Sequence, residues 1–267
     1  MTAAASEGVS VEPRDGVLRI TLDRPARKNS LDTAGIRRIV AALEAAATDD
    51  SLRAVLLTGN GPDFCSGADW VASNASGARP RTGSLQRRTP LQAHRMIELL
   101  VELQLPVVCG VRGWAAGLGF QLALAADFTI ASDSACFWEP FIERGFSADS
   151  GATWLLPRLA GVARAKELLL LGRKLSGVEA AAWGIIHRAV PDAELEAATA
   201  ALVGQLAAGP TVAIGLTKQC IHRSLETALA PAMQGEAFAL ELSSRTADFK
   251  EGLLAFKEKR AARFEGQ

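Results

Sequence analysis

The chain of 267 residues has no tyrosine, three histidines and four cysteines, and only 6% of its residues are aromatic. Tyrosine is thereby excluded as a catalytic acid or base. The cysteines, at 65, 109, 136 and 220, are too widely spaced for a Cys-x-x-Cys redox pair or a zinc site. His94, His187 and His222 make no His-Glu-x-x-His pattern, so no metal is expected. Nor is there an excess of charge: 29 Lys+Arg balance 29 Asp+Glu. Nucleic acid and anionic membrane surfaces require a field of one sign, and neither is an expected partner. Long hydrophobic runs are missing too. The longest, such as residues 114–127, is broken by Gly and Gln well short of the roughly 20 residues of a membrane span. The N-terminal MTAAASEGVSVEP has neither a basic region nor an apolar run of signal-peptide length. With cysteines set among apolar or small neighbours, as reduced thiols are, a cytoplasmic location is expected.

What is present is apolar surface, at 49% of residues, in a chain long enough for one substantial core with or without a small satellite domain. Residues 17–22 (VLRITL) alternate and stop at a proline, which predicts a strand. A helix is expected over 31–47, where Ile36, Ile39, Val40 and Leu43 fall at helical spacing and Asp32 or Ser30 can cap. Buried strands are expected at 53–58, 107–111 and 128–131, and helices over 90–105 and between Gly119 and Asp127. Residues 73–89, rich in Gly, Ser, Pro and Arg, read as a long surface loop. Repeated strand, loop and helix imply an α/β core with parallel pairing. Beyond about residue 193 the strand signal ends and two or three helices are expected, the last over 248–264. The division is therefore a core over 1–192 and a helical region over 193–267, packed on its own core or on a neighbouring subunit.

Two glycine-containing turns stand out, LTGNGPDFCSGADW at 57–70 and VRGWAAGLGFQLALAAD at 111–127. Each follows a buried strand and offers small residues whose backbone N–H groups can face a ligand before a helix begins. Free amides at a helix start make an anion or oxyanion site. Together with DRPARKNSLD at 23–32 and the block at 151–190, the two turns resemble the crotonase superfamily, the enoyl-CoA hydratase/isomerase family. The resemblance runs over nearly the whole chain. It implies a spiral of ββα turns, a C-terminal helical region used in oligomerisation, and a homotrimer or homohexamer.

The resemblance also implies an acyl-CoA thioester as substrate, with no separate cofactor, its carbonyl held by the backbone N–H groups of Ala68 and Leu118. Leu118 stands where many members carry a glycine; a backbone donor survives that change. Arg24, Arg27 and Lys28 occupy the stretch that lies beside CoA in relatives. Lys259 lies in a segment that often reaches a neighbouring subunit's CoA. Asp69 is expected to fix its turn, with its backbone open to the adenine, and the arginines at 79, 81, 87 and 88 are a further supply of cations.

A hydratase of this family uses two glutamates, which would fall at Gln121 and Phe141, and neither side chain can carry a proton. Glu139 and Glu143 would each need a register shift of two. Asp149, in FSADSGATWLLPRL, resembles the aspartate of the epoxyphenylacetyl-CoA isomerase branch, which shuttles a proton; a helix cap directed at Thr153 is the structural alternative. An isomerase using Asp149, Ala68 and Leu118 is the preferred reading. The others are an enoyl-CoA hydratase of fatty-acid oxidation, an aryl-CoA dehalogenase or hydrolase using Asp149 with His94, and a CoA-binding pseudoenzyme. Trp70, Trp114, Trp138 and Phe141 are candidates both for the pocket wall and for the core.

Overall fold

The structure, a computed structural model, describes residues 8–69 and 81–267. It opens with a hairpin of β1 (Val9–Arg14) and β2 (Val17–Leu22). The chain continues through α1 (Thr33–Ala46), β3 (Ala54–Gly59), α2 (Ser84–Arg88), α3 (Ala93–Glu102), β4 (Val107–Val111) and β5 (Trp114–Ala116). Then come α4 (Leu118–Ala125), β6 (Phe128–Ser132), β7 (Cys136–Trp138), α5 (Ala152–Ala160), α6 (Val162–Leu171), β8 (Leu175–Ser176), α7 (Gly177–Ala182) and β9 (Arg188–Val190). It ends in α8 (Leu195–Ala207), α9 (Thr211–Ser224), α10 (Leu229–Ser243) and α11 (Ala247–Glu258).

The main sheet has the order β1-β2-β3-β4-β6-β9, parallel except for the first hairpin, and a smaller sheet has the order β5-β7-β8. Strand periodicity explains how both faces of the main sheet are covered. Ile20, Leu22, Val55, Leu57, Cys109 and Val111 belong to the large core, where Ile36, Ile39 and Leu43 of α1 and Met96 and Leu100 of α3 also pack. The alternate residues Val17, Ala54, Leu56 and Val108 meet Val203 of α8. Helix α8 thus covers the back of the sheet. Asp32 caps α1, its carboxylate accepting from the Gly35 N–H at 2.8 Å, which stabilises the helix by about 1 kcal/mol.

Three expectations need correction. The 73–89 loop contains helix α2 at Ser84–Arg88, a turn that buries only Ser84 and so leaves no apolar periodicity to read; residues 73–80, with Arg79, lie outside the described residues, as does Trp70. The C-terminal region holds four helices, because Pro210 stands between α8 and α9 and starts a new one. The last helix stops at Glu258, where Lys259 takes the left-handed conformation with φ 55°. Among the described residues no single helix is long and apolar enough to cross a membrane.

Candidate active site

The first glycine turn lies against α1's entry. Leu31 donates its N–H to Gly67 O at 2.9 Å and Asp69 donates its N–H to Leu31 O at 2.8 Å, a parallel bridge centred on Ala68. Because N–H groups alternate in direction along an extended chain, the Ala68 N–H points away from Leu31. The second turn begins α4. Phe120 and Gln121 donate to Gly117 O, whereas Leu118, the first helical residue, has no intrahelical acceptor. Two glycines let these turns meet. A Cβ on Gly67, at φ 97°, would sit 2.8 Å from Ala116 O and 3.4 Å from Leu118 N, and one on Gly119 would overlap Cys65 O.

Ala68 and Leu118 line one cavity of about 770 Å³, together with Asp69, Phe141, Phe146 and Asp149. Their amides donate to no other group among the described residues. The arrangement offers two backbone donors at a shared wall, the requirement for stabilising a developing oxyanion.

Asp149 faces this cavity from the turn before α5. Ser150 and Gly151 both have positive φ, at 50° and 85°, so the chain doubles back there. Such a strained non-glycine residue persists only where its surroundings hold it, and Ser150 is buried. Helix α5 starts at Ala152 with Gly151 as its cap residue and no side-chain cap, so Asp149 is not spent on capping Thr153. Burial pushes the Asp149 carboxyl above its ordinary value, opposed by a hydrogen bond with the Ser150 side chain and by the charge of nearby His94. His94 stands on the first turn of α3, half-buried.

Gln121 and Phe141 part company. Phe141 lines the cavity and meets Phe146 edge-on, ring centroids 5.5 Å apart. Gln121 is fully buried and outside the cavity lining, its Nε2 donating to both carboxylate oxygens of Glu139 at 2.8 and 2.9 Å. Glu139 does not reach the cavity either, and Glu143 is exposed beside Gly172. No motif or spacing announces the Glu139–Gln121 contact; its one trace in the sequence is Gln121 itself, a lone polar side chain in an otherwise apolar helix.

The cations form a separate shell. Arg24 donates to Asp69 at 3.2 Å and to Ser30 O at 2.9 Å and lies 3.3 Å from Asp32; Arg27 reaches the same Asp69 oxygen at 3.5 Å. Asp69 thus ties the 24–27 stretch to the oxyanion turn, while its own N–H is used by Leu31. Lys28 lies 5.3 Å from the Trp114 ring. Arg88 lines the cavity, Arg81 and Arg87 are exposed, and Lys259 stands at the far end of α11, away from the cavity lining. Trp114 and Trp138 pack on each other at 5.8 Å with Lys174 over both, outside the cavity lining.

The family model described as enoyl-CoA hydratase/isomerase matches residues 12–267. The chain belongs to this family. An Escherichia coli K12 relative named 1,2-epoxyphenylacetyl-CoA isomerase is 39% identical over 94% of the chain and 96% of its own length. A Rhodobacter capsulatus protein named "Probable enoyl-CoA hydratase" is equally similar, 39% over 97% and 98%. A 4-chlorobenzoyl coenzyme A dehalogenase of an Arthrobacter species is 30% identical over 97% and 94%. The crystal structure of an enoyl-CoA hydratase from Bacillus anthracis superposes with a TM-score of 0.90 at 33% identity, covering 98% of this chain and all of that one. The fold is the crotonase fold, and the protein is an acyl-CoA enzyme of the enoyl-CoA hydratase/isomerase family.

Proposed function

We propose that the protein isomerises an unsaturated or ring-strained acyl-CoA by moving a proton within the substrate. The thioester oxygen accepts hydrogen bonds from the Ala68 and Leu118 amides. Asp149, as carboxylate, takes a proton from carbon; the electron pair left behind delocalises onto the thioester oxygen as an enolate; and the same proton returns to a different carbon. No bond to CoA breaks and no water is consumed. The observation that carries this reading is that Asp149 shares the cavity with both free amides and has no salt bridge among the described residues, whereas Asp69 is held by Arg24 and Arg27. Among the described residues the other acid lining the cavity, Asp69, is engaged by Arg24 and Arg27, which supports isomerisation over hydration, a reaction that needs two acid–base groups.

The test is Asp149→Asn, assayed by loss of α-protons from a panel of enoyl-CoAs in deuterated water. Exchange is expected to fall by about 10² to 10⁴-fold with acyl-CoA binding retained. Unchanged exchange refutes the role of Asp149, and binding without exchange in the unaltered protein indicates a pseudoenzyme. A second reading rests on the proximity of His94 to Asp149: attack of the aspartate on a halogenated aryl-CoA, with the histidine activating water. Chloride release from such a thioester distinguishes it.

The assembly belongs to the same proposal. Helix α10 buries none of its residues and presents Leu229, Met233, Phe238, Leu240 and Leu242 to water, and α11 presents Leu253, Leu254 and Phe256. Apolar area of this extent on two adjacent helices calls for a covering surface. We assign it to further copies of the chain, as a homotrimer or homohexamer, which also brings Lys259 toward a neighbouring CoA.

A further inference from the structure

Glu139 is a fully buried carboxyl group that the chemistry above does not use. Among the described residues it has no salt-bridge partner, and the side-chain group bonded to it is the Gln121 amide. One nitrogen of that amide spans both carboxylate oxygens, while the amide oxygen, Gln121 Oε1, is itself buried without a donor. Burial drives the carboxyl well above its ordinary value, and the charge of Asp149 adds to that; the Gln121 hydrogen bonds oppose it without reversing it.

The placement matters more than the charge. Gln121 lies three residues beyond Leu118, on the first turn of α4. Glu139 lies between Trp138 and the cavity residues Pro140 and Phe141. These segments are joined by the Gly117 N–H to Trp138 O at 2.9 Å, by the Phe120 and Phe137 rings with centroids 5.0 Å apart, and by the Gln121–Glu139 pair, the one link of the three made by polar side chains. We propose that Glu139 is a positioning residue: through Gln121 it holds the first turn of α4, and with it the Leu118 amide, against the segment that carries Phe141. It touches no reacting atom. The proposal rests on the thioester reading of the cavity and is independent of what Asp149 does.

The test uses the full-length protein and butanoyl-CoA labelled with ¹³C at the thioester carbonyl, whose stretching frequency falls when oxyanion donors polarise it. Glu139→Leu is expected to lose at least half of the shift seen on binding to the unaltered protein. Enolisation of an active enoyl-CoA should slow at least tenfold in kcat with KM within about threefold. Glu139→Gln keeps the shape and a hydrogen-bonding partner for Gln121, and should retain both the shift and kcat. A full shift and full kcat in Glu139→Leu overturns the proposal. If that variant does not fold, Gln121→Leu replaces it with the same expectation and the same refuting outcome. Loss of the shift in Glu139→Gln, with its melting temperature unchanged, also overturns it. An unaltered protein that binds the probe with no shift at all refutes the oxyanion reading itself, and is thereby told apart from failure at Glu139.

Discussion

Replacing Leu118 by proline removes a single N–H and tests whether that donor does chemistry. The position suits the substitution. Leu118 is the first residue of α4, where proline's fixed φ is tolerated and its missing N–H breaks no helix bond. Gly117 before it, at φ 50° and ψ −125°, lies outside the helical region that a following proline disfavours. Two quantities change, and they are read on different axes. The side chain is 4% exposed, so truncation costs stability, about 2 to 5 kcal/mol for a buried leucine cut to alanine. Loss of one oxyanion donor costs about 10² to 10³-fold in kcat, or about 3 to 4 kcal/mol of transition-state stabilisation. Leu118→Ala carries the first cost without the second. The two variants should therefore show similar losses in thermal stability, with α-proton exchange within a few-fold of normal in Leu118→Ala and at least 100-fold slower in Leu118→Pro. Exchange measured by proton NMR in deuterated water, at saturating enoyl-CoA, separates them. Equal rates in the two variants would refute the assignment of the Leu118 amide as a donor.

Proton abstraction requires ionised Asp149, and burial raises its pKa, so the acid limb of the pH–rate profile should lie above the ordinary aspartate value of 3.8, activity falling as pH drops through it. Glu139 makes stability depend on pH in the opposite sense. Its folded-state pKa is raised, so the folded chain holds a proton that the unfolded chain has released; its contribution to stability is fully present below the ordinary value of 4.5 and is lost as pH rises through the folded value. Urea midpoints across pH 4 to 8 should show that slope reduced in Glu139→Gln. Lys218, buried, donates to Asp127 at 2.7 Å and to the Leu100 and Leu105 carbonyls at 2.8 and 3.2 Å. Lys218→Met leaves the half-buried Asp127 carboxylate without its cation and should cost about 3 kcal/mol, the low end for breaking a buried pair, by urea denaturation. Phe256→Asp, on the exposed face of α11, should lower the mass measured by light scattering without unfolding the α/β core.

Where a residue's role is set by its chain neighbours, the sequence was informative. The helical period after residue 31 narrowed the cap of α1 to Asp32 or Ser30, of which the structure uses Asp32, and the alternation in VLRITL identified β2. The first strand was not legible because only Val9 of β1 is buried, which leaves no alternation to detect. The C-terminal helices were blurred for a related reason: α10 has its apolar residues on no single side, so periodicity could not count its turns. Motif order led to Ala68, Leu118 and Asp149, which the fold brings to one cavity from three separate turns. What no spacing rule gives is depth. Gln121 and Phe141 read alike as replacements for acids, yet one is buried outside the cavity lining and the other is part of it.

That difference in depth bears on how a site without the two hydratase glutamates can still do enolate chemistry. A carboxylate acting as base must be reachable by substrate and must ionise; one that only supports the wall is better neutral, because an uncompensated buried charge is costly. The two environments sort the acids accordingly. Asp149 is partly open, with a Ser150 hydrogen bond and His94 nearby favouring its charged form. Among the described residues Glu139 has no salt-bridge partner, and the side chain bonded to it is the neutral Gln121 amide. In Asp149→Asn the base is gone, and Glu139, fully buried and outside the cavity lining, does not replace it. Residual α-proton exchange in Asp149→Asn should therefore not be reduced further by adding Glu139→Gln. A further tenfold loss in the double variant would show that Glu139 reaches the substrate after all, and would move it from the wall into the chemistry.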